Sequence, residues 1–169
     1  METVRRLSSA RWLIPLLAVI GADGGSRFGI LARRLPISRS VLARHLALLE
    51  QFGWIRRNPG HGHPLRPEYL LTEAGPPVAG WCERAMAARE RMGLEPDAFG
   101  RWTLPLLFEL APERRRFTLL QQRLAPVTPR ALSLTLNQAL SERLVERQSP
   151  AQLYGLAERG RDFAAPLLV

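Results

Sequence analysis

Arg39 and Arg44 stand five positions apart, with Ser40 and Ala43 between them and Ala47 just beyond. At helical spacing these five residues share one face, opposite Val41, Leu42, Leu46 and Leu49. A guanidinium is a planar fork that donates two parallel hydrogen bonds, a match for phosphate or for the edge of guanine. Groups suited to catalysis are scarce. His61-Gly62-His63 has metal-like proximity, but no further histidine, cysteine or acidic cluster adjoins it, so it reads as part of a flexible loop. Cys82 is the single cysteine, which rules out an intramolecular disulfide and fits a reducing cytoplasm. Its neighbours Trp81, Ala85 and Met86 mark it as buried and inert rather than redox-active. There is no P-loop, paired-glycine dinucleotide motif or nucleophile elbow, so neither enzymatic activity nor a cofactor is expected.

The charge balance points to polyanions. Among 169 residues, 24 are basic and 15 acidic, a formal net charge of +9. Every basic residue is arginine. A sequence pI near 11.4 makes nucleic acid the first partner class to consider. The excess is uneven: residues 1–75 hold 11 basic and 5 acidic groups, and residues 76–169 hold 13 and 10. An apolar fraction of 46% is that of a folded chain rather than a disordered one. Arg5 and Arg6 ahead of the apolar run Trp12–Ala22 imitate a signal peptide, but nearly the same run recurs in mid-chain, so we expect a cytoplasmic, nucleoid-associated protein with no membrane partner.

That recurrence is part of an internal repeat. Arg11-Trp12-Leu13-Ile14-Pro15-Leu16-Leu17 returns as Arg101-Trp102-Thr103-Leu104-Pro105-Leu106-Leu107, with five of seven positions identical at an offset of 90. Arg27-Phe28 returns as Arg116-Phe117, and Ile37–Arg57 aligns without gaps on Val127–Arg147. Tyr69, Leu71, Glu73 and Gly75 return as Tyr154, Leu156, Glu158 and Gly160 at an offset of 85. The matched positions are mainly apolar, as expected of two copies that keep one core.

Within one copy the elements follow in a defined order. Arg11–Ile20 reads as a buried helix ended by the glycines of 21–25. Phe28–Leu35 reads as a short second helix stopped by Pro36. Ser38 offers an N-cap oxygen to a third helix that Gly53 closes. Trp54–Arg57 and Tyr69–Leu71 read as strands, joined through the Gly-, Pro- and His-rich stretch 58–67. Helix, helix, turn, helix, strand, wing, strand is the order of a winged helix-turn-helix. The chain resembles the HxlR and MarR families of bacterial regulators. The resemblance lies in the opening Arg-Trp, the Arg-Phe before the second helix, Ser38-x-x-x-Leu42-x-x-x-Leu46, Gly53-Trp54-Ile55-Arg56-Arg57 and Tyr69-Leu70-Leu71-Thr72-Glu73-x-Gly75. It covers 11–75 well and 101–160 more loosely.

In those families the third helix enters the major groove and the wing touches the backbone or minor groove. The resemblance therefore implies groove roles for Ser38, Arg39, Ser40, Arg44 and His45, and wing roles for Arg57, His61, His63 and Arg66. In the second copy it implies Thr128, Arg130, Ser133, Asn137 and Arg147. Arg39 and Arg44 can read guanine or grip phosphate, while Arg33 and Arg34 divide equally between phosphate contact and plain solvation. Leu134 replaces Arg44, and Asn137 and Gln138 could pair with adenine. We read both copies as binding DNA with different base preferences; the alternative gives the second a packing or partner role.

The expected fold is mainly α with small β-hairpin wings. Two tandem winged helix-turn-helix domains, 1–95 and 96–169, form an internal pseudodimer, joined through an amphipathic helix at about 76–92. The expected function is sequence-specific regulation of transcription on double-stranded DNA. The alternative is a tandem winged-helix scaffold for protein–protein interaction, such as a chromosome-organising subunit. A homodimer of the pseudodimer and an unidentified small-molecule effector stay open.

Overall fold

A computed structural model describes residues 1–58, 68–94 and 100–168. In chain order the elements of the first half are α1 (Glu2–Leu7), α2 (Leu13–Ala22), β1 (Ser26–Arg27), α3 (Phe28–Arg34), α4 (Arg39–Gln51), β2 (Ile55–Asn58), β3 (Glu68–Leu71) and α5 (Gly75–Arg91). The second half follows with α6 (Thr103–Leu110), β4 (Arg115–Arg116), α7 (Phe117–Arg123), α8 (Pro129–Ser141), β5 (Val145–Gln148), β6 (Leu153–Leu156) and α9 (Glu158–Ala164), with a closing 3-10 turn at Ala165–Leu167. From α2 to β3 and from α6 to β6 the two halves are the same series, and each is a winged helix-turn-helix.

The strands confirm the repeat pair by pair. Each half holds a three-stranded antiparallel sheet, ordered β1-β3-β2 and β4-β6-β5. Ser26 pairs with Tyr69, and its counterpart Arg115 pairs with Tyr154. Ile55 pairs with Leu71, and Val145 with Leu156. The two-residue strands β1 and β4 were not foreseen from the sequence, being too short to show a period of two.

Local physics explains the boundaries. Pro15 and Pro105 each fall at the third position of their helix, where the missing N–H leaves no intrahelical hydrogen bond unmade. Both helices therefore keep proline within an apolar run. After α2 the chain reverses through Gly24 and Gly25, at φ of 67° and 137°. The glycines that close the sequence motif also have a clear cause. A Cβ on Gly75 would overlap the Trp54 carbonyl oxygen, and one on Gly160 the equivalent Leu144 carbonyl. Those carbonyls accept hydrogen bonds from the Thr72 and Ala157 N–H groups, each at 3.0 Å, which seats each returning strand on the preceding turn.

The core of residues 12–87 is built by Leu13, Leu16, Leu17, Ile20, Leu31, Leu42, Leu46, Leu49 and Ile55, all at most 2% exposed. Leu104, Leu106, Leu107, Leu110, Leu120, Leu132, Leu136, Leu144 and Val145 build the core of the other unit, at most 2% exposed as well. Each such side chain contributes roughly 1.5–3 kcal/mol on burial.

The chain divides into two compact units, Trp12–Ala87 and Met1–Arg11 with the residues from Ala88 onward. By packing, this grouping differs from the expected division at 95/96 in two ways. The boundary falls inside α5, and α1 belongs with the second winged helix. The cause is specific: Val4 and Leu7 are buried, α1 packs on α6, and the Arg5 guanidinium donates to the Arg123 and Ala125 carbonyls at 2.6 and 3.3 Å. The guanidinium thus satisfies carbonyls at the end of α7 that have no partner within the helix.

Candidate nucleic-acid interface

Each unit presents one capped helix with a two-sided character. Ser38 Oγ accepts from the Val41 N–H at 3.3 Å and starts α4; Thr128 Oγ1 accepts from the Ala131 N–H at 3.2 Å and starts α8, with Pro129 in its first turn. Along Val41–Glu50 and Ala131–Leu140 the sequence of buried, half-buried and exposed positions is identical. Leu42, Leu46 and Leu49 face the core in one, and Leu132, Leu136 and Ala139 in the other. The outward face of α4 holds Arg39, Ser40, Ala43, Arg44 and Ala47. That of α8 holds Arg130, Ser133, Leu134 and Asn137. Ser38, Arg39, Ser40 and Arg44 are thus brought together at the open side of one helix, as are Thr128, Arg130, Ser133 and Asn137.

His45 is a correction. The resemblance implies a groove role for it, but its side chain is 2% exposed and its Nδ1 lies 2.7 Å from the Val41 carbonyl oxygen. Its spacing from Leu42 and Leu49 explains why: i, i+3 and i+7 describe the inward stripe. Thr135 occupies the same place in α8, with its hydroxyl donating to Ala131 O at 2.9 Å. Gln138 is likewise half-buried rather than on the outward face.

The sheets add charge beside the helices. Arg27, Arg56 and Arg57 are exposed in the first, and Arg116 and Arg147 in the second. His61, His63 and Arg66, assigned to the first wing, lie outside the described residues. Arg27 and Arg56 lie outside the expected site residues, and the repeated Arg-Phe dipeptide and the Arg56-Arg57 pair are the sequence signals that mark them. The second sheet is less basic. Glu146 stands where the first has Arg56, and it is held in an ion pair with Arg114. Arg115 is turned inward, 8% exposed, bonded to the Glu109 carbonyl at 2.8 Å and paired with Glu113 at 3.0 Å. Arg34 pairs with Asp23 at 2.5 Å on the surface, while Arg33 is exposed. Among the described residues, Arg39 and Arg44 enter no ion pair, which leaves both guanidiniums available to an anion.

Two titratable groups support a structural reading. Burial raises the Tyr69 phenol above its usual 10.0, against the opposing pull of the Arg57 guanidinium. Cys82 is fully buried, and desolvation pushes its thiol well up, the condition of an unreactive cysteine. Among the described residues no group of three or more His, Cys, Asp or Glu side chains could hold a metal, and no helix is long and apolar enough to cross a membrane.

Two helix-turn-helix units, each with a winged sheet and an exposed capped helix, define a tandem winged helix-turn-helix protein. The family model described as HxlR-like helix-turn-helix matches the chain twice, at residues 7–91 and 99–169, and the chain belongs to that family. It is also similar to proteins named as uncharacterized HTH-type transcriptional regulators of Mycobacterium tuberculosis and Mycobacterium bovis. Identity is 42% over 69 residues in each case, covering 41% of this chain and 43% of the relative.

Proposed function

We propose that the protein is a sequence-specific regulator of transcription that binds double-stranded DNA through α4 and α8, with the two winged sheets on the flanking backbone. The observation that carries this reading is the unpaired, outward-facing Arg39 and Arg44 on a capped helix whose opposite face closes the core. Small side chains at Ser40, Ala43 and Ala47 permit close approach to base edges, and two guanidiniums supply phosphate or guanine contacts. A net charge of +9 favours the approach of a polyanion. Membership of a helix-turn-helix family, with relatives named as transcriptional regulators, supports the same reading. The two units act as the halves of a single-chain pseudodimer, each reading helix taking one half-site of the duplex.

The test is Arg44→Ala, measured by fluorescence anisotropy on the preferred duplex over a series of salt concentrations. Affinity should fall by about 1–3 kcal/mol if Arg44 reads a base, with discrimination between duplexes relaxed. A loss equal on all duplexes, with the salt slope reduced by about one, assigns Arg44 to phosphate. Unchanged affinity on the preferred duplex removes Arg44 from the interface.

A further inference from the structure

The outward faces of α4 and α8 share one pattern of exposure but differ in chemistry. Where α4 sets Ala43, Arg44 and Ala47, α8 sets Ser133, Leu134 and Asn137. Leu134 is 62% exposed, the highest value for any large apolar side chain among the described residues. It is not a stray core residue, because Leu132, Thr135, Leu136 and Ala139 already form the buried stripe of α8. It has no donor for phosphate or for guanine. In a major groove its hydrocarbon matches one feature, the C5-methyl group of thymine. Asn137 lies less than one turn further on along the same face. Its amide both donates and accepts, which is the pattern that pairs with N6 and N7 of adenine. Arg130 at the start of the helix and Arg147 on β5 are exposed and keep the cationic groups that hold a duplex whatever its sequence. That surrounding charge argues for a polyanion, rather than an apolar protein surface, as the occupant of this face.

We propose that α8 reads a half-site containing A·T pairs, with Leu134 against a thymine methyl and Asn137 on an adjacent adenine, while α4 reads guanine through Arg44. The proposal rests on the DNA-binding reading above and deepens it by assigning unlike base preferences to the two copies.

The experiment uses the full chain and duplexes recovered from a randomised pool at low ionic strength. Recovered sites should have unlike halves, one with guanine and one with A·T. Replacing thymine by deoxyuracil in the A·T half removes only the methyl groups. This should weaken the wild-type protein about fourfold, the value of one buried methyl. Leu134→Ala should lose that sensitivity while keeping its non-specific affinity, and Leu134→Arg should shift that half towards guanine by about tenfold. Melting curves verify that both variants are folded, and the uracil measurement on the wild type does not depend on them. Guanine in both halves, no effect of uracil on the wild type, or an equal effect on Leu134→Ala would overturn the assignment while leaving DNA binding intact. No binding to any duplex at low salt would overturn the parent reading, and the assignment with it.

Discussion

Arg143 sits in the left-handed region at φ 55°, where its repeat counterpart Gly53 sits at φ 76°. Glycine adopts this conformation without a steric penalty, whereas a residue with a Cβ pays about 1 kcal/mol. Arg143→Gly should therefore raise unfolding stability by about 1 kcal/mol in urea titrations, with duplex affinity nearly unchanged. A drop in stability would mean that the Arg143 side chain contributes more than its backbone loses. The sequence marked Gly53 as a helix stop, but the aligned arginine hid the same turn in the second copy. His45 teaches the opposite lesson. Its i+3 spacing from Leu42 places it on the core side of α4, whatever role the related families give that position.

At the level of elements, α4 was readable because three independent signals agreed, a cap residue, an apolar stripe of helical period and a stop, and α8 because the first two did. Strands β2, β3, β5 and β6 followed from their apolar runs and turn residues. What could not be read was short or non-local. β1 and β4 have two residues each, and α1 has six, fewer than periodicity needs. Nor does α1 carry any local mark of its packing partner, which lies a hundred residues away in sequence. Its role can be measured. Leu7→Ala removes a fully buried side chain at the contact with α6 and should cost about 2–5 kcal/mol. Hydrogen exchange should show the loss of protection in α6 and α7, with α2 and α4 unaffected. Equal loss in both sets would mean that the two units unfold together.

For the whole molecule, the repeat was the strongest signal in the sequence, since a register kept over both copies implies two copies of one fold. Partner chemistry was legible in part from the arginine content, and the drop from an excess of six basic groups in residues 1–75 to three in residues 76–169 hinted at unlike copies. Glycine and proline between 93 and 100 announce that a helix ends but not where the chain then heads. Hydroxyl-radical footprinting of the full chain on its preferred duplex should give two protected tracts, one for each copy. A single tract would mean that only one of the two copies engages DNA.

The placement of α1 also has a consequence for how the protein is made. Residues 12–87 hold their own core, but the packing of α1 on α6 cannot form until α6 has been translated. The acceptor carbonyl of Ala125 emerges 120 residues after Arg5, on the order of ten seconds later at typical bacterial elongation rates. During that interval the apolar side chains of Val4 and Leu7 lack the α6 surface that packs against their helix. That segment is where a holdase would bind, and where an early stop in translation would leave a sticky end.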